Sequence, residues 1–151
     1  LRTQAVDAVA AVDGSVKFSG WSDLVATLAA IVEAERVAGS GLSLHIAELD
    51  AAINPGDHTD HRNTAMAMEE VATRFGCASV SRYIEYATRG RPQNVKGEDY
   101  MIDVGTWGAT ASGLSDNHAR ATWESEHNSW LGRSYSRTAP PSGACATPLL
   151  S

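Results

Sequence analysis

One stretch of sequence decides the fold: LSLHIAELDAAINPGDHTDHRNTAMAMEEVATRF, which occupies residues 42–75. Its opening segment, residues 42–48, is short and rich in Leu and Ile. A glycine turn precedes it and Asn-Pro-Gly follows, which predicts a strand leading into a loop. Residues 59–75 carry apolar side chains at close to 3.6-residue spacing, and Gly76 supplies a stop, which predicts a helix. We therefore expect a strand–loop–helix unit in the middle of the chain.

Weaker periodic signals surround this unit. They predict a helix over residues 1–12, a helix over 21–38 with Ser22 as its N-cap, a strand over 78–86 and a helix over 116–131. Alternation of helices and strands favours an α/β fold over an all-α fold. We expect one domain over residues 1–138, followed by an irregular tail over 139–151 that is rich in Pro and small residues.

Composition excludes several classes of protein. A chain of 151 residues with 43% hydrophobic and 20% charged residues has the size and balance of one soluble globular domain. The net charge of −6 argues against binding to nucleic acid. No stretch reaches the roughly 20 apolar residues that a membrane-spanning helix needs. The preference for Arg over Lys and the abundance of Ala suggest a bacterial source with a GC-rich genome.

The chain has two cysteines, Cys77 and Cys145. Sequence spacing does not decide whether they form a bridge, because their separation in space is not known. Two unpaired thiols are the favoured interpretation on compartment grounds, with the cytoplasm slightly favoured as location. The sequence leaves the oligomeric state open.

The densest polar cluster is NPGDHTDHR, residues 54–62. His58 and His61 are three residues apart at a loop-to-helix junction, so both side chains can face one cleft. Neutral imidazole is a common zinc ligand, and Asp57 or Asp60 could fix its tautomer. The alternative is a Pro-Gly turn with ordinary helix-capping residues and two solvated histidines.

The segment PGDHTDHR, residues 55–62, followed by an Ala/Met-rich helix, resembles the His-x-Asp-His motif of the LmbE/PIG-L family of zinc-dependent N-acetylglucosaminyl deacetylases. The predicted helix over 21–38 and strand over 42–48 agree with the family context. The resemblance covers roughly residues 20–94, about half of the chain. It implies a Rossmann-like α/β layer fold.

The resemblance also implies roles for three residues. His61 would be a zinc ligand, His58 would polarise the substrate carbonyl or stabilise the oxyanion, and Asp60 would orient His58. The implied reaction is hydrolysis of the acetamide of an N-acetylated amino sugar, in which zinc activates water and a carboxylate serves as general base.

One feature of the family is missing from the chain. Family members carry an Ala-His-Pro-Asp-Asp-Glu motif near the N-terminus, which supplies two further metal ligands and the base, whereas the first histidine here is His45. A catalytic zinc usually needs three protein ligands. We therefore expect the fold to be incomplete at its N-terminus, as the C-terminal portion of a longer enzyme, with zinc weak or absent and no activity in the chain as given. The other possibility is a chain that has lost both the motif and the activity.

Other histidines and aromatic residues are weaker candidates. His45 and Glu48 point to opposite faces if they lie on a strand. Glu124 and His127 have helical i, i+3 spacing but are more often structural, and His118 is expected at a helix-start surface. Core packing is expected for most of Trp107, Trp123 and Trp130. Tyr83, Tyr86 and Arg89 could rim a carbohydrate cleft.

Three functions remain open. The first is the metal-dependent deacetylase. The second is a non-catalytic carbohydrate-binding or interaction module on the same scaffold. The third is an unrelated metalloprotein that uses His58, His61 and a carboxylate from elsewhere in the chain.

Overall fold

A computed structural model describes residues 1–37, 40–116 and 127–145. Its strands are β1 (Val9–Ala10), β2 (Lys17–Phe18), β3 (Leu42–Ala47), β4 (Ala78–Tyr83) and β5 (Ser136–Ala139). Its α-helices are α1 (Trp21–Glu35), α2 (Thr59–Phe75) and α3 (Gly97–Asp116), and short 3₁₀ turns occupy Tyr86–Thr88 and His127–Ser129. None of the helices in these ranges is long and apolar enough to cross a membrane.

The main sheet has the order β3-β4-β5. β3 and β4 are parallel, with Leu42 opposite Ala78, and β5 is antiparallel to β4, with Ala139 opposite Val80. A parallel pair needs a crossover connection, which α2 supplies. The carboxyl ends of β3 and β4 therefore meet at one edge of the sheet, and the mixed α/β class is confirmed.

Helix α2 lies between the sheet and α1. Towards the sheet, one cluster of buried side chains consists of Leu44, Ile46, Ala65, Ala72, Ala78 and Val80. Towards α1, a second cluster consists of Val25, Ala67 and Val71. Full burial of one Val, Leu or Ile side chain contributes about 1.5–3 kcal/mol. Packing on two sides fixes the position of α2 and hence of its N-terminus.

The central strand–loop–helix prediction is confirmed. α2 has the predicted bounds, and Gly76 ends it in the left-handed conformation at φ 65°. β3 ends one residue early, at Ala47. Helix α1 exists but has Gly20 rather than Ser22 as its N-cap and ends at Glu35. β4 ends at Tyr83 instead of residue 86 because the chain turns there into the 3₁₀ segment.

Two predictions at the ends of the chain differ from the structure. Residues 1–12 form turns and β1 instead of a helix, because Val9 pairs with Phe18 across a turn closed by Asp13, whose Oδ1 accepts from the backbone N–H of Ser15 at 3.0 Å. Such pairing overrides the high helix propensity of alanine, because intrinsic propensity is a weak determinant of structure when other contacts compete with it. Helix α3 was not predicted from the sequence. Ala111 is the buried residue among those described in this helix, so its apolar periodicity is faint.

The structure describes only part of the C-terminal region for which the sequence makes predictions. Of the helix expected over 116–131, residues 117–126 lie outside the described ranges, and residues 127–132 form a 3₁₀ segment and a turn. Residue 139, the first of the expected tail, is the last residue of β5, and residues 140–145 contain neither helix nor strand.

The expectation of unpaired thiols is wrong: Cys77 and Cys145 form a disulfide, with their Cα atoms 4.7 Å apart. The cause is a long-range approach that sequence spacing does not reveal. The backbone N–H groups of Ser142 and Gly143 both donate to the carbonyl of Gly76 at 2.9 Å, which places the C-terminal segment beside Cys77.

We predict that unfolding without reductant exposes no thiol that reacts with a thiol reagent, and that prior reduction exposes two. Because the bridge closes a loop of 68 residues, the Cys77→Ser/Cys145→Ser variant is expected to lose roughly 2–4 kcal/mol of unfolding free energy in urea. Two reactive thiols in the unreduced, unfolded protein would contradict the pairing.

The core assignment makes a second prediction through a matched pair of substitutions. Ile46 is 7% exposed and Ile102 is 59% exposed. Ile46→Ala should reduce the unfolding free energy by about 2–5 kcal/mol, because it opens a cavity between β3 and α2. Ile102→Ala should change it by about 0.5 kcal/mol or less. Equal losses of unfolding free energy in the two variants, measured by urea denaturation, would show that Ile46 does not lie in the core.

Candidate functional site

The buried side chain of Asn54 joins the two loops that leave the carboxyl ends of β3 and β4. Its Nδ2 donates to the carbonyl of Glu48 at 3.2 Å, and its Oδ1 accepts from the backbone N–H of Glu85 at 3.1 Å. Asn54 is 1% exposed, so both hydrogen bonds are shielded from water. The loop before α2 is thereby held against the segment that follows β4.

An ion pair between buried Glu48 and exposed Arg137 supports the same edge of the sheet. The carboxylate of Glu48 accepts from Nη2 of Arg137 at 2.8 Å and from Nε of the same guanidinium, and it also accepts from the backbone N–H of Asp50 at 2.9 Å. Hydrogen bonding by Arg137 lowers the pKa of Glu48 to about 2, against the opposing effect of burial. Glu48 is therefore a structural anion and not a free acid–base group.

The Asp57–His61 pair forms at the first turn of α2. The side chain of Asp57 is 1% exposed, and its Oδ1 lies 2.8 Å from Nδ1 of His61 and accepts from the backbone N–H of His58 at 2.9 Å. A proton on Nδ1 that is shared with the carboxylate leaves the lone pair on Nε2. This is the arrangement in which proteins present histidine to a metal.

The second oxygen of Asp57, Oδ2, is buried and has no hydrogen-bond partner among the described residues. Asp57 stood in the sequence analysis only as an alternative to Asp60. Its position four residues before His61 is the signal that could have identified it, because i, i+4 side chains are neighbours on a helix and Asp57 lies next to the N-cap of α2.

His58 has a different environment from that of His61. It is the N-cap of α2, and its Nδ1 accepts from the backbone N–H of Asp60 at 3.2 Å. The Asp60 carboxylate lies 3.4 Å from the same nitrogen, and both side chains are exposed. Because Nδ1 accepts, the neutral ring carries its proton on Nε2, where it can donate to a ligand.

The structure brings the two histidines together but not all three predicted side chains. The rings of His58 and His61 are 5.9 Å apart in an edge-on arrangement. The carboxylate of Asp60 is 85% exposed and neighbours His58, whereas Asp57 is the hydrogen-bond partner of His61. The carboxylate that orients His61 is therefore that of Asp57, which precedes α2.

A pocket of about 360 Å³ opens beside His61, and we call it the His61 pocket. It lies between β3 and α2. Its lining residues are His45, Ile46, Ala47, His61, Thr64, Ala65, Met68, Tyr83 and Glu85. A second cavity of about 550 Å³, which we call the aromatic cleft, shares Tyr83 and Glu85 with the His61 pocket. Its lining residues are Tyr83, Ile84, Glu85, Tyr86, Thr88, Asp103, Trp107, Trp130, Leu131, Arg133, Ser134 and Tyr135.

Glu85 lies at the boundary of the two cavities and was not identified from the sequence. Burial raises the pKa of its carboxyl, and the charge of Asp57 adds to the effect while His61 opposes it. The signal that could have found it is its place just after β4, because ligands of parallel sheets bind at the carboxyl ends of the strands.

The remaining sequence candidates separate clearly. His45 is exposed with its Nδ1 3.0 Å from the Tyr83 hydroxyl, whereas Glu48 is buried, so the two do not form a ligand pair, as predicted. Arg89 is exposed and lines neither cavity. Candidates His118, Trp123 and Glu124, and the side chain of His127, lie outside what the structure describes.

Two tryptophans that were expected mainly in the core line the aromatic cleft instead. Trp107 and Trp130 are partly exposed, and Nε1 of Trp130 donates to the carbonyl of Tyr86 at 3.2 Å. The Tyr86 ring lies between the two cavities, with its centroid 5.5 Å from that of His61 and 6.0 Å from that of Trp130. The expectation that Tyr83 and Tyr86 rim a cleft agrees with this geometry.

The donor set of the described residues does not form a complete metal site. They contain no group of three or more His, Cys, Asp or Glu side chains placed to hold one ion. His61, backed by Asp57, is a single oriented nitrogen ligand.

No protein-family model, curated protein or solved structure matches this chain.

The Glu48–Arg137 pair predicts how stability depends on pH. The folded pKa of Glu48, about 2, lies below its ordinary value of 4.5, so the pair stabilises the fold above pH 4.5 and this contribution is lost as pH falls towards 2. We expect the urea midpoint of the native protein to fall between pH 5 and pH 2.5, and Arg137→Gln to reduce that fall. Arg74→Gln, an exposed arginine on α2, is the control. An unchanged pH dependence in Arg137→Gln would contradict the assignment.

Proposed function

We propose that this chain carries the histidine half of a zinc-dependent deacetylase of the LmbE/PIG-L type, with a Rossmann-like fold, which removes the acetyl group from an N-acetylated amino sugar. The observation that carries the proposal is the Asp57–His61 hydrogen bond of 2.8 Å at the mouth of a pocket. A carboxylate on Nδ1 orients the ring and increases the basicity of Nε2, which is the role of such a partner in metal sites.

On this proposal His61 is one of three protein ligands, and the other two and the general base come from outside the described residues. Zinc bound there would supply Lewis-acid polarisation of the amide carbonyl and activation of water. In the part of the chain that the structure describes, β3 is an edge strand of the main sheet, and the His61 pocket lies beside it. A further parallel strand paired with β3 would end at the same sheet edge as β3, close to His61.

His58 has the properties of an oxyanion donor. Its ring is exposed, lies 5.9 Å from that of His61, and carries the neutral-state proton on Nε2 because Nδ1 accepts from Asp60. Its place at the N-terminus of α2 adds the favourable field of the helix for developing negative charge. His58 would therefore stabilise charge on the amide oxygen, and the backbone N–H of Asp60 would keep the ring in this orientation.

The aromatic cleft supports a second candidate, a carbohydrate-binding module without catalysis. Aromatic faces next to polar groups are a common lining of ligand sites. The two candidates differ in their requirement for His61, because a binding module needs the cleft but not a metal-ligating imidazole.

The decisive experiment uses this chain preceded by the reading frame that encodes its upstream segment, assayed for zinc content and for deacetylation of an N-acetylglucosamine conjugate. His61→Ala should lose both zinc and activity. His58→Ala should keep zinc and lose turnover by about a hundredfold or more. If both variants keep full activity, the catalytic assignment is wrong. If neither the extended chain nor the given chain is active, the binding module is favoured.

The same extended chain can be used to distinguish the roles of the Asp57 and Asp60 carboxylates. Asp57→Asn should weaken zinc binding by about 10- to 100-fold, because it removes the partner of His61. Asp60→Asn, a matched change at an exposed neighbour, should leave zinc affinity unchanged. Weaker zinc binding in Asp60→Asn alone would show that the partners are assigned the wrong way round.

A further inference from the structure

A cluster of reactive side chains lies on the face of the main sheet that is turned away from α2. Leu44 and Ile46 of β3 pack in the same cluster as buried residues of α2. Because successive side chains of a strand point to opposite faces, Ser43 and His45 share the other face. The register of β3 and β4 places Tyr83 on that face as a diagonal neighbour of His45.

Hydrogen bonds connect these three side chains in a row. The Oγ of Ser43 lies 3.3 Å from Nε2 of His45, and Nδ1 of His45 lies 3.0 Å from the hydroxyl of Tyr83. The rings of His45 and Tyr83 are 5.6 Å apart. A hydroxyl within reach of an imidazole, which a third group orients, is the arrangement that activates serine as a nucleophile. Ser43 and His45 are both exposed, so a reagent can reach them.

We propose that Ser43 is the nucleophile of a second activity, acyl transfer from esters, with His45 as general base and Tyr83 as the residue that positions His45. In the working tautomer Nδ1 of His45 carries the proton and donates to the oxygen of Tyr83, which leaves Nε2 to accept from Ser43. This activity goes beyond the proposed function, because it requires neither zinc nor the histidines of α2.

The reaction has two balanced steps. The Oγ of Ser43 forms a bond to the ester carbonyl carbon while its proton passes to Nε2 of His45. The bond from that carbon to the alcohol oxygen then breaks, and His45 returns the proton to the departing alcohol. In the second step water attacks the acyl-serine and passes its proton to His45, which releases a carboxylic acid and restores Ser43.

The neighbouring cavity indicates the class of ester. His45 and Tyr83 line the His61 pocket, so the pocket borders this cluster. Its volume of about 360 Å³ is small, and apolar side chains supply much of its wall: Ile46, Ala47, Ala65 and Met68. A small apolar cavity favours a short acyl group such as acetyl over a long acyl chain.

The first test is covalent labelling of the 151-residue chain after treatment with a chelator. The probe is diisopropyl fluorophosphate, which transfers its phosphoryl group to an activated serine with loss of fluoride. Ser79 is opposite Ser43 in the register and serves as the internal reference. Peptide mapping by mass spectrometry should find at least about a hundredfold more label on Ser43 than on Ser79. Equal labelling of the two serines, or no label on Ser43, overturns the proposal.

Variants assign the roles of the other two residues. His45→Gln should slow both labelling of Ser43 and chelator-resistant hydrolysis of p-nitrophenyl acetate by about a hundredfold or more. Tyr83→Phe keeps the ring, removes the hydroxyl and should slow both by about five- to tenfold. Ser79→Ala is the matched control and should hydrolyse the ester like the parent protein. An unchanged rate in His45→Gln overturns the proposal.

The tautomer of His45 is the readout of positioning by Tyr83. By ¹⁵N NMR the neutral ring should carry its proton on Nδ1 in the parent protein, and this preference should weaken in Tyr83→Phe. A proton on Nε2 of His45 in the parent protein would overturn the role of His45 as base.

Ser43→Ala distinguishes this activity from the proposed function. In the chain extended by its upstream segment it should abolish the labelling at this site and keep zinc-dependent deacetylation. Labelling of Ser43 in a chain without deacetylase activity would uphold the ester reaction and reject the deacetylase, and deacetylation without labelling would do the reverse.

Discussion

The hydrogen bond between the buried carboxylate of Asp57 and Nδ1 of His61 is the interaction on which the account of the site depends. It forms because Asp57 lies just before the N-cap of α2 and His61 lies in the first turn of that helix. A carboxylate that is 1% exposed is stable only with strong donors, and the His61 ring and the backbone N–H of His58 supply them. The buried acid and the oriented histidine therefore require each other.

The fold holds this pair in place by packing α2 on two sides. Val71 contacts the α1 side, and Ala65 and Ala72 contact the sheet, so the axis of α2 has little freedom. In the loop before α2, the side chain of Asn54 accepts a hydrogen bond from the backbone N–H of Glu85 and so links this loop to the segment after β4. As a result the first turn of α2, the carboxyl end of β4 and the two cavities lie together at one corner of the described structure.

The sequence predicted the parts of this corner that depend on local interactions. The bounds of α2 and the positions of β3 and β4 follow from apolar periodicity and from the glycine stop at Gly76, which are properties of neighbouring residues. His58 and His61 were also identified, because their spacing places them on one helical turn.

Long-range contacts account for what the sequence did not predict. The Cys77–Cys145 bridge joins residues 68 apart, and Glu85 is held by a hydrogen bond from its backbone N–H to the side chain of Asn54, which is 31 residues earlier in the chain. The partner of His61 was ambiguous between Asp57 and Asp60, since both lie within reach in sequence and only the direction of the loop decides which carboxylate is buried. Trp107 and Trp130 were expected in the core. Residues that line a cleft, unlike those that form a core, have no periodic spacing in the sequence by which they could be recognised.

The most direct test of the central claim is the tautomer of His61, measured by ¹⁵N NMR of the imidazole nitrogens at a pH where the ring is neutral. We predict a proton on Nδ1 and a bare Nε2 in the native protein, loss of this preference in Asp57→Asn, and a shift of the His61 Nε2 resonance when Zn²⁺ is added. A proton on Nε2 of His61 in the native protein, or a response to Zn²⁺ at His58 alone, would contradict it.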